Sequence, residues 1–421
     1  MGRTSFSAEF GLFCNGGDRA ARKTLLTSIY FIGALVGLLC GGYLYDNIGR
    51  KRTAIIGNVI AVSITVAGYF CHSYYFLLVI RMIQGFGFFL VGTGMFVLTV
   101  EILPARYRNY INGWAQCLWA VGYGVAAATG YLVKDWNQMF LVAAIICFIT
   151  QLPTFFAIES PRYYLIKGDV NAAKDSLKRL GDLNGIDLDL ENITITDGGK
   201  EREQSLKQQL VEFCRYPILL VETLLCMYLW FFVGLSYYGF NFGWGSILPD
   251  RYIGYLMAMV GELIAYIGLV PTISKLGRRR ALMIAFLGAS LCYLVAIPDV
   301  ALTAGENPWT LESVASLVGI VFVSATFSGI YLWTGEIAPT SHRGFVFCMS
   351  SSAARIGSFI GPFIVNNLFE MTHKAVPLAA LSALSLVAFL ASFSLVETGD
   401  KGIASTSEEV VTRRKQYSYR I

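Results

Sequence analysis

Apolar runs follow one another along most of this chain, parted by short polar turns. Eleven of them cover residues 24–45, 53–70, 74–100, 110–133, 137–158, 217–242, 252–273, 281–298, 311–335, 343–368 and 375–396. Each approaches the ~20 residues that a helix needs to cross the hydrocarbon core of a bilayer. The pattern predicts an all-α membrane protein with eleven spanning helices. Residues 1–23 are polar and lack such a run. Residues 159–216 are polar, rich in Asp and Lys, and separate five helices from six, which predicts short amphipathic helices and linker. The expected division is an N-terminal segment 1–23, a bundle 24–158, a linker 159–216, a bundle 217–397 and a tail 398–421.

Composition narrows the class. Charged residues are 14% of the chain, against ~25% in soluble domains, and mean hydropathy is +0.56. The nine cysteines are scattered, with no CxxC pair and no His cluster; neither a disulfide framework nor a metal site is indicated. There is no nucleotide-binding loop and no nucleophile elbow, so no enzyme and no cofactor are expected. The net charge of +5 calls for no nucleic-acid partner; what matters is where the cations lie. The polar start does not read as a signal peptide.

The turn Gly42-Tyr43-Leu44-Tyr45-Asp46-Asn47-Ile48-Gly49-Arg50-Lys51-Arg52 joins the first two runs and carries three adjacent cations. Cations hold a loop on the cytoplasmic side. With that turn inside and the sides alternating, most of the 33 Lys and Arg residues fall inside, including the linker and the C-terminal tail. Only Lys134, Arg251 and Lys374 fall in outside loops. The N-terminus then lies outside, a placement its own Arg3, Arg19, Arg22 and Lys23 oppose.

Two short motifs recur in order. Gly49-Arg50-Lys51-Arg52 is echoed by Gly277-Arg278-Arg279-Arg280. The pattern E-I-x-P-x-x-x-R occurs from Glu101 to Arg108 and again from Glu336 to Arg343. Such a repeat predicts two related halves with a substrate site between them near the midplane, as secondary transporters are built.

These motifs resemble those of the major facilitator superfamily, and one branch in particular. G-x-L-x-D-x-x-G-R-K from Gly42 to Lys51 is similar to the loop between its second and third helices. Ser7 to Cys14 resembles the segment before the second helix of the organic cation, organic anion and carnitine transporters. Arg81-Met82-Ile83-Gln84-Gly85, Glu159-Ser160-Pro161-Arg162-Tyr163-Tyr164-Leu165, Met227 to Phe231 and Val396-Glu397-Thr398-Gly399 are similar to further signatures of that branch. The resemblance runs from end to end. It implies a major facilitator fold of two pseudo-symmetric bundles, with twelve helices in the family against eleven here. Residues 1–23 then read as an extracellular remnant of a chain lacking the family's first helix, a fragment or shortened form more than a complete transporter. Ser274 also departs from the Asp that the family often carries.

The resemblance implies a plasma-membrane carrier of small organic ions, without cofactor, that works in the lipid bilayer together with a co-transported or exchanged ion. Arg355, midway along a helix, matches a position that is Arg in anion and carnitine carriers and Asp in cation carriers. A guanidinium at that depth is costly unless it faces a cavity or a partner; it would hold a substrate carboxylate, or else an intrabundle salt bridge. Glu262 is the one carboxylate in 252–273, with Tyr266 four residues on and so on the same face. Glu262 would serve an ammonium, a coupling cation, or Arg355 itself. Tyr237 and Tyr238 are expected to stack on a ligand; Trp114, Trp119, Tyr331 and Trp333 are weaker candidates that packing would explain. Arg81 with Gln84 reads as a coupling or structural pair whose arginine would lose its partner with the first helix. Asp46, Gly49, Arg50, Glu101, Arg108, Glu336 and Arg343 read as a cytoplasmic gate, Asp46 facing a helix start near Arg343. The preferred cargo is a carboxylate-bearing anion or a carnitine-like zwitterion. A non-transporting binding or regulatory member and an organic cation carrier remain open.

Overall fold

The computed structural model describes residues 6–12, 17–186, 188, 215–243, 250–302, 311–337, 343–367 and 375–398. All eleven predicted runs are helical. They are α1 (Gly17–Ile48), α2 (Arg50–Tyr69), α3 (Tyr74–Ile102), α4 (Ala105–Leu132) and α5 (Trp136–Gln151) before the linker. The linker supplies a short α6 (Pro161–Ile166) and an amphipathic α7 (Val170–Leu183). After it come α8 (Pro217–Gly243), α9 (Arg251–Leu276), α10 (Arg278–Leu302), α11 (Leu311–Ile337), α12 (Arg343–Pro362) and α13 (Ala375–Ser392). Among the described residues nine helices are long and apolar enough to cross a membrane, and α4 and α12 fall outside that set. α12 carries Ser350, Ser351, Ser352, Arg355 and Ser358.

Several helices start earlier than hydropathy suggests, for one reason. The first turn of a helix leaves backbone N–H groups unpaired and carries partial positive charge. α1 begins at Gly17 with Asp18 in its first turn, so the helix extends ahead of the apolar run at 24 into the polar segment. α2 and α10 begin on their cationic residues because acceptors from distant sequence, described below, cap them. Asp135 accepts from Asn137 N at 3.2 Å to start α5, and Asp250 from Tyr252 N at 2.8 Å to start α9. Pro362 closes α12, and residues Phe363–Asn367 continue as a wider π turn.

The chain divides into two compact units. One comprises residues 1–28, 112–134 and 203–421, the other residues 29–111 and 135–202. In the second unit α1 and α3 cross where glycines leave room. A Cβ on Gly33 would strike the Met82 carbonyl, and one on Gly85 the Tyr30 carbonyl. Gly57 and Gly87 likewise bring α2 onto α3. In the first unit α8 and α12 meet along a longer seam. A Cβ on Gly234 would strike the Ala354 carbonyl, one on Gly357 that of Phe231 and one on Gly361 that of Leu235. Small residues at a crossing are the usual basis of close helix contact in lipid, where no hydrophobic force drives association.

Gly357→Ala should therefore cost roughly 1–3 kcal/mol by overpacking. Gly344→Ala, in the same helix but with open space around it, should be near neutral. Thermal unfolding in detergent compares the two; equal melting temperatures would contradict the seam.

Candidate functional site

Two arrangements stand out, each contained in one unit. The first is a carboxylate seated on a helix start. In the second unit Glu159 Oε1 accepts from Arg50 N at 3.0 Å and from Lys51 N at 3.1 Å, and also from its neighbour Ser160 N. Arg50 in turn reaches Glu101 at 3.1 Å and Asp46 at 3.2 Å, donates to the Tyr45 carbonyl at 3.0 Å and covers the Tyr163 ring. Gly49 is required twice here. Its φ is 111°, a conformation side chains disfavour, and a Cβ would lie 2.5 Å from Glu159 Oε2.

The first unit repeats the device. Glu397 accepts from Arg278 N at 2.8 Å and Arg279 N at 3.1 Å. Arg278 grips Glu336 with two donors at 3.1 Å each, and Thr398 donates to the same carboxylate at 2.5 Å. Gly277 has φ 84°, and a Cβ there would sit 2.7 Å from Glu397 Oε2. The predicted gate residues Asp46, Gly49, Arg50 and Glu101 thus meet in one cluster, and Glu336 in its counterpart. The side chains of Arg108 and Arg343 lie outside the described residues, and the expected approach of Asp46 to Arg343 with them. Glu159, Glu397 and Arg278 were quoted only as parts of motifs. Their role was not legible, because nothing local shows that residue 159 returns to residue 50.

The second arrangement is polar and buried in the first unit. Tyr237, on α8, gives its hydroxyl proton to Glu262 Oε1 on α9 at 2.6 Å. The same hydroxyl accepts from Trp119 Nε1 on α4 at 2.9 Å. Ala120 and Ala265 let α4 and α9 close around Tyr266. Glu262 is fully buried. Tyr266 and Asn241 lie beside the same carboxyl, yet Glu262 Oε2, the Tyr266 hydroxyl and both amide atoms of Asn241 make no hydrogen bond among the described residues. Buried polar groups are nearly always paired, so several unpaired ones at one place mark a point where a further polar group fits.

Aromatic rings extend this site. Tyr237 packs edge-on against Tyr238, with centroids 5.0 Å apart, and against Phe327 on α11 at the same distance. Phe327 leads to Tyr331, and Tyr331 accepts a long 3.4 Å contact from Arg355 Nη2 on α12. Arg355 is buried, and Tyr238 lies within electrostatic reach of both Arg355 and Glu262. Among the described residues no ion pair joins Glu262 to Arg355. Arg355, Glu262, Tyr237, Tyr238 and Tyr266, which the sequence placed together, are thus gathered in one unit. Trp119 and Tyr331, ranked as weaker candidates, belong with them. Asn241 was missed, since one Asn near a helix end carries no signal by itself. Trp333 instead donates to the Val396 carbonyl, a structural contact, and Trp114 is exposed.

Arg81 departs from expectation. It was predicted to lack a partner, but it donates to Gln84 at 3.2 Å and covers the Tyr30 ring at 5.4 Å. Gln84 passes the chain on to Thr65 at 2.9 Å. The i, i+3 spacing on α3 lets the glutamine take the guanidinium, and α1 supplies the ring.

Comparison with known proteins agrees with this architecture. A structure of the proton:xylose symporter XylE bound to 6-bromo-6-deoxy-D-glucose superposes with a TM-score of 0.68 at 16% identity, over 94% of this chain and 90% of that one. An inward-open XylE from E. coli gives the same score at 14% identity. The fold is therefore that of the major facilitator superfamily. The model of the family "Sugar (and other) transporter" matches residues 3–410, and the chain belongs to that family. Similar relatives include solute carrier family 22 member 6 of Rattus norvegicus, 28% identical over 97% of this chain and 73% of the relative. Organic cation/carnitine transporter 4 of Arabidopsis thaliana is 24% identical over 96% of this chain and 76% of the relative.

Glu159→Gln keeps the shape of the cap and removes its charge. A hydrogen bond to a charged group is worth roughly 1.5–3 kcal/mol, so the variant should unfold at lower temperature. Asp182→Asn, on an exposed residue of α7, should leave the transition where it is.

Proposed function

We propose that the protein carries small organic ions across the plasma membrane, preferring carboxylate-bearing anions or carnitine-like zwitterions. The observation that carries the reading is the pairing of a buried carboxylate and a buried guanidinium in one aromatic-lined site without an ion pair between them. A buried charge in lipid is costly and marks a site where a charged group can bind. A zwitterion would meet both charges at once, with its carboxylate on Arg355 and its ammonium on Glu262, Tyr237 and Tyr238. An anion would use Arg355 and leave Glu262 to a co-transported cation. Names among the relatives, one an organic cation/carnitine transporter, support this class of cargo.

Transport would proceed by alternating access, the two halves rocking about the site. The clusters around Arg50 and Arg278 would close one side, the cytoplasmic one by the distribution of cations, with the linker and C-terminus on that side. Asp46 would take part through its ion pair with Arg50 at 3.2 Å.

Uptake of radiolabelled carnitine, a urate-like anion and a quaternary ammonium into vesicles tests the reading. The first two should be taken up and the third poorly. Uptake of the quaternary ammonium alone would favour a cation carrier. No uptake of any, with normal delivery to the membrane, would favour a binding or regulatory role. Arg355→Asp should weaken anion uptake by at least about tenfold, the loss of one charge-assisted bond, and unchanged selectivity would remove Arg355 from the site. Asp46→Asn should lower the maximal rate with little change in apparent affinity. A loss confined to affinity would contradict the gate.

A further inference from the structure

The second unit holds a hollow of about 400 Å³ away from the buried site, between the start of α2, the end of the α5 segment and the amphipathic α7. Three cations line it, Lys51 and Arg52 from α2 and Arg179 from α7, together with the hydroxyls of Tyr164 and Ser176. Two carboxylates, Glu159 and Asp175, also border it, and neither forms a close ion pair with the three cations among the described residues. Glu159 is turned to the backbone of Arg50 and Lys51. The lining thus carries three cations against two carboxylates, and the excess positive charge favours an anion.

The depth of the hollow says where the anion would come from. The part of α2 long and apolar enough to cross a membrane begins at Arg50, and that of α5 with the short helix Pro153–Phe156 after it ends at Phe156. The hollow thus lies beside the ends of two candidate spans, where a bilayer would present phospholipid phosphates. Phe156, on its rim, is 78% exposed and offers an apolar edge for an acyl chain. α7 is started by Asp169, which caps Ala172 N at 3.0 Å, and is tied to the hollow by Ser176, which donates to the Glu159 carbonyl at 2.6 Å.

We propose that this hollow binds a phosphate-bearing anion, with Lys51, Arg52 and Arg179 as its ligands and a membrane lipid headgroup as its source. Basic pockets beside helix ends suit such headgroups. An occupied site would tie α7 to the start of α2, next to the Glu159 cap. The inference is independent of the cargo proposed above, since it concerns other residues and a binding measurement without transport.

Detergent-solubilised full-length protein titrated with dioctanoyl phosphatidylinositol 4-phosphate, inositol 1,4-bisphosphate and dioctanoyl phosphatidylcholine tests it by thermophoresis. The lipid phosphate should bind saturably and phosphatidylcholine should not. Arg52→Gln with Arg179→Gln should weaken binding by at least about tenfold, at roughly fivefold per cation. Arg179→Gln alone, on an exposed helix face, gives the smaller step if the double variant unfolds. Lys178→Gln, on α7 but outside the lining, should change nothing. Equal affinity for inositol bisphosphate and the lipid would keep the phosphate site and assign it to a soluble ligand. No saturable binding of either phosphate, or binding that the Arg52 and Arg179 variants leave unaltered, would overturn the proposal.

Discussion

A carboxylate brought from far along the chain to the first turn of a helix is the contact on which the rest of each unit depends. Glu159 and Glu397 each bind two consecutive backbone N–H groups at the start of a helix. A helix start at the edge of lipid must find acceptors, because unpaired backbone there is costly. The same carboxylates leave Arg50 and Arg278 free to reach Glu101 and Glu336. Gly49 and Gly277 follow from this rather than from turn preference alone, since any side chain there would occupy the place of the carboxylate. One contact thereby fixes a helix start, a glycine and an arginine at once.

Much of this was legible in the sequence, and the part that was not has a common cause. Apolar runs gave all eleven helices because spanning length is a strong constraint. Their ends were off by a few residues wherever a cationic first turn is capped from a distance, as at Arg50 and Arg278. The buried site was found because charges and paired tyrosines within apolar helices are rare. Its full membership was not, since Trp119 and Asn241 look like packing until α4, α8 and α9 are brought together. Arg81 was paired with Gln84 in the sequence, but the loss of a further partner was expected, and the Tyr30 ring on the neighbouring helix was not foreseen.

The buried site also accounts for the polar and aromatic residues that α4 and α12 carry. A segment that lines a polar interior need not satisfy lipid over its whole surface, so it can carry arginine, serine and tryptophan where a lipid-facing helix cannot. Those residues mark the position of the two helices beside Glu262 and Arg355.

The glycine seam between α8 and α12 sets how the site can move. Backbones locked at Gly234, Gly357 and Gly361 resist sliding, so Tyr237, Tyr238 and Arg355 share one stiff plank. Glu262 rides on another helix, joined to that plank through a single phenolic proton. A shift of α9 by less than a hydrogen bond's length would separate the negative pole of the site from its positive pole while leaving the aromatic wall intact.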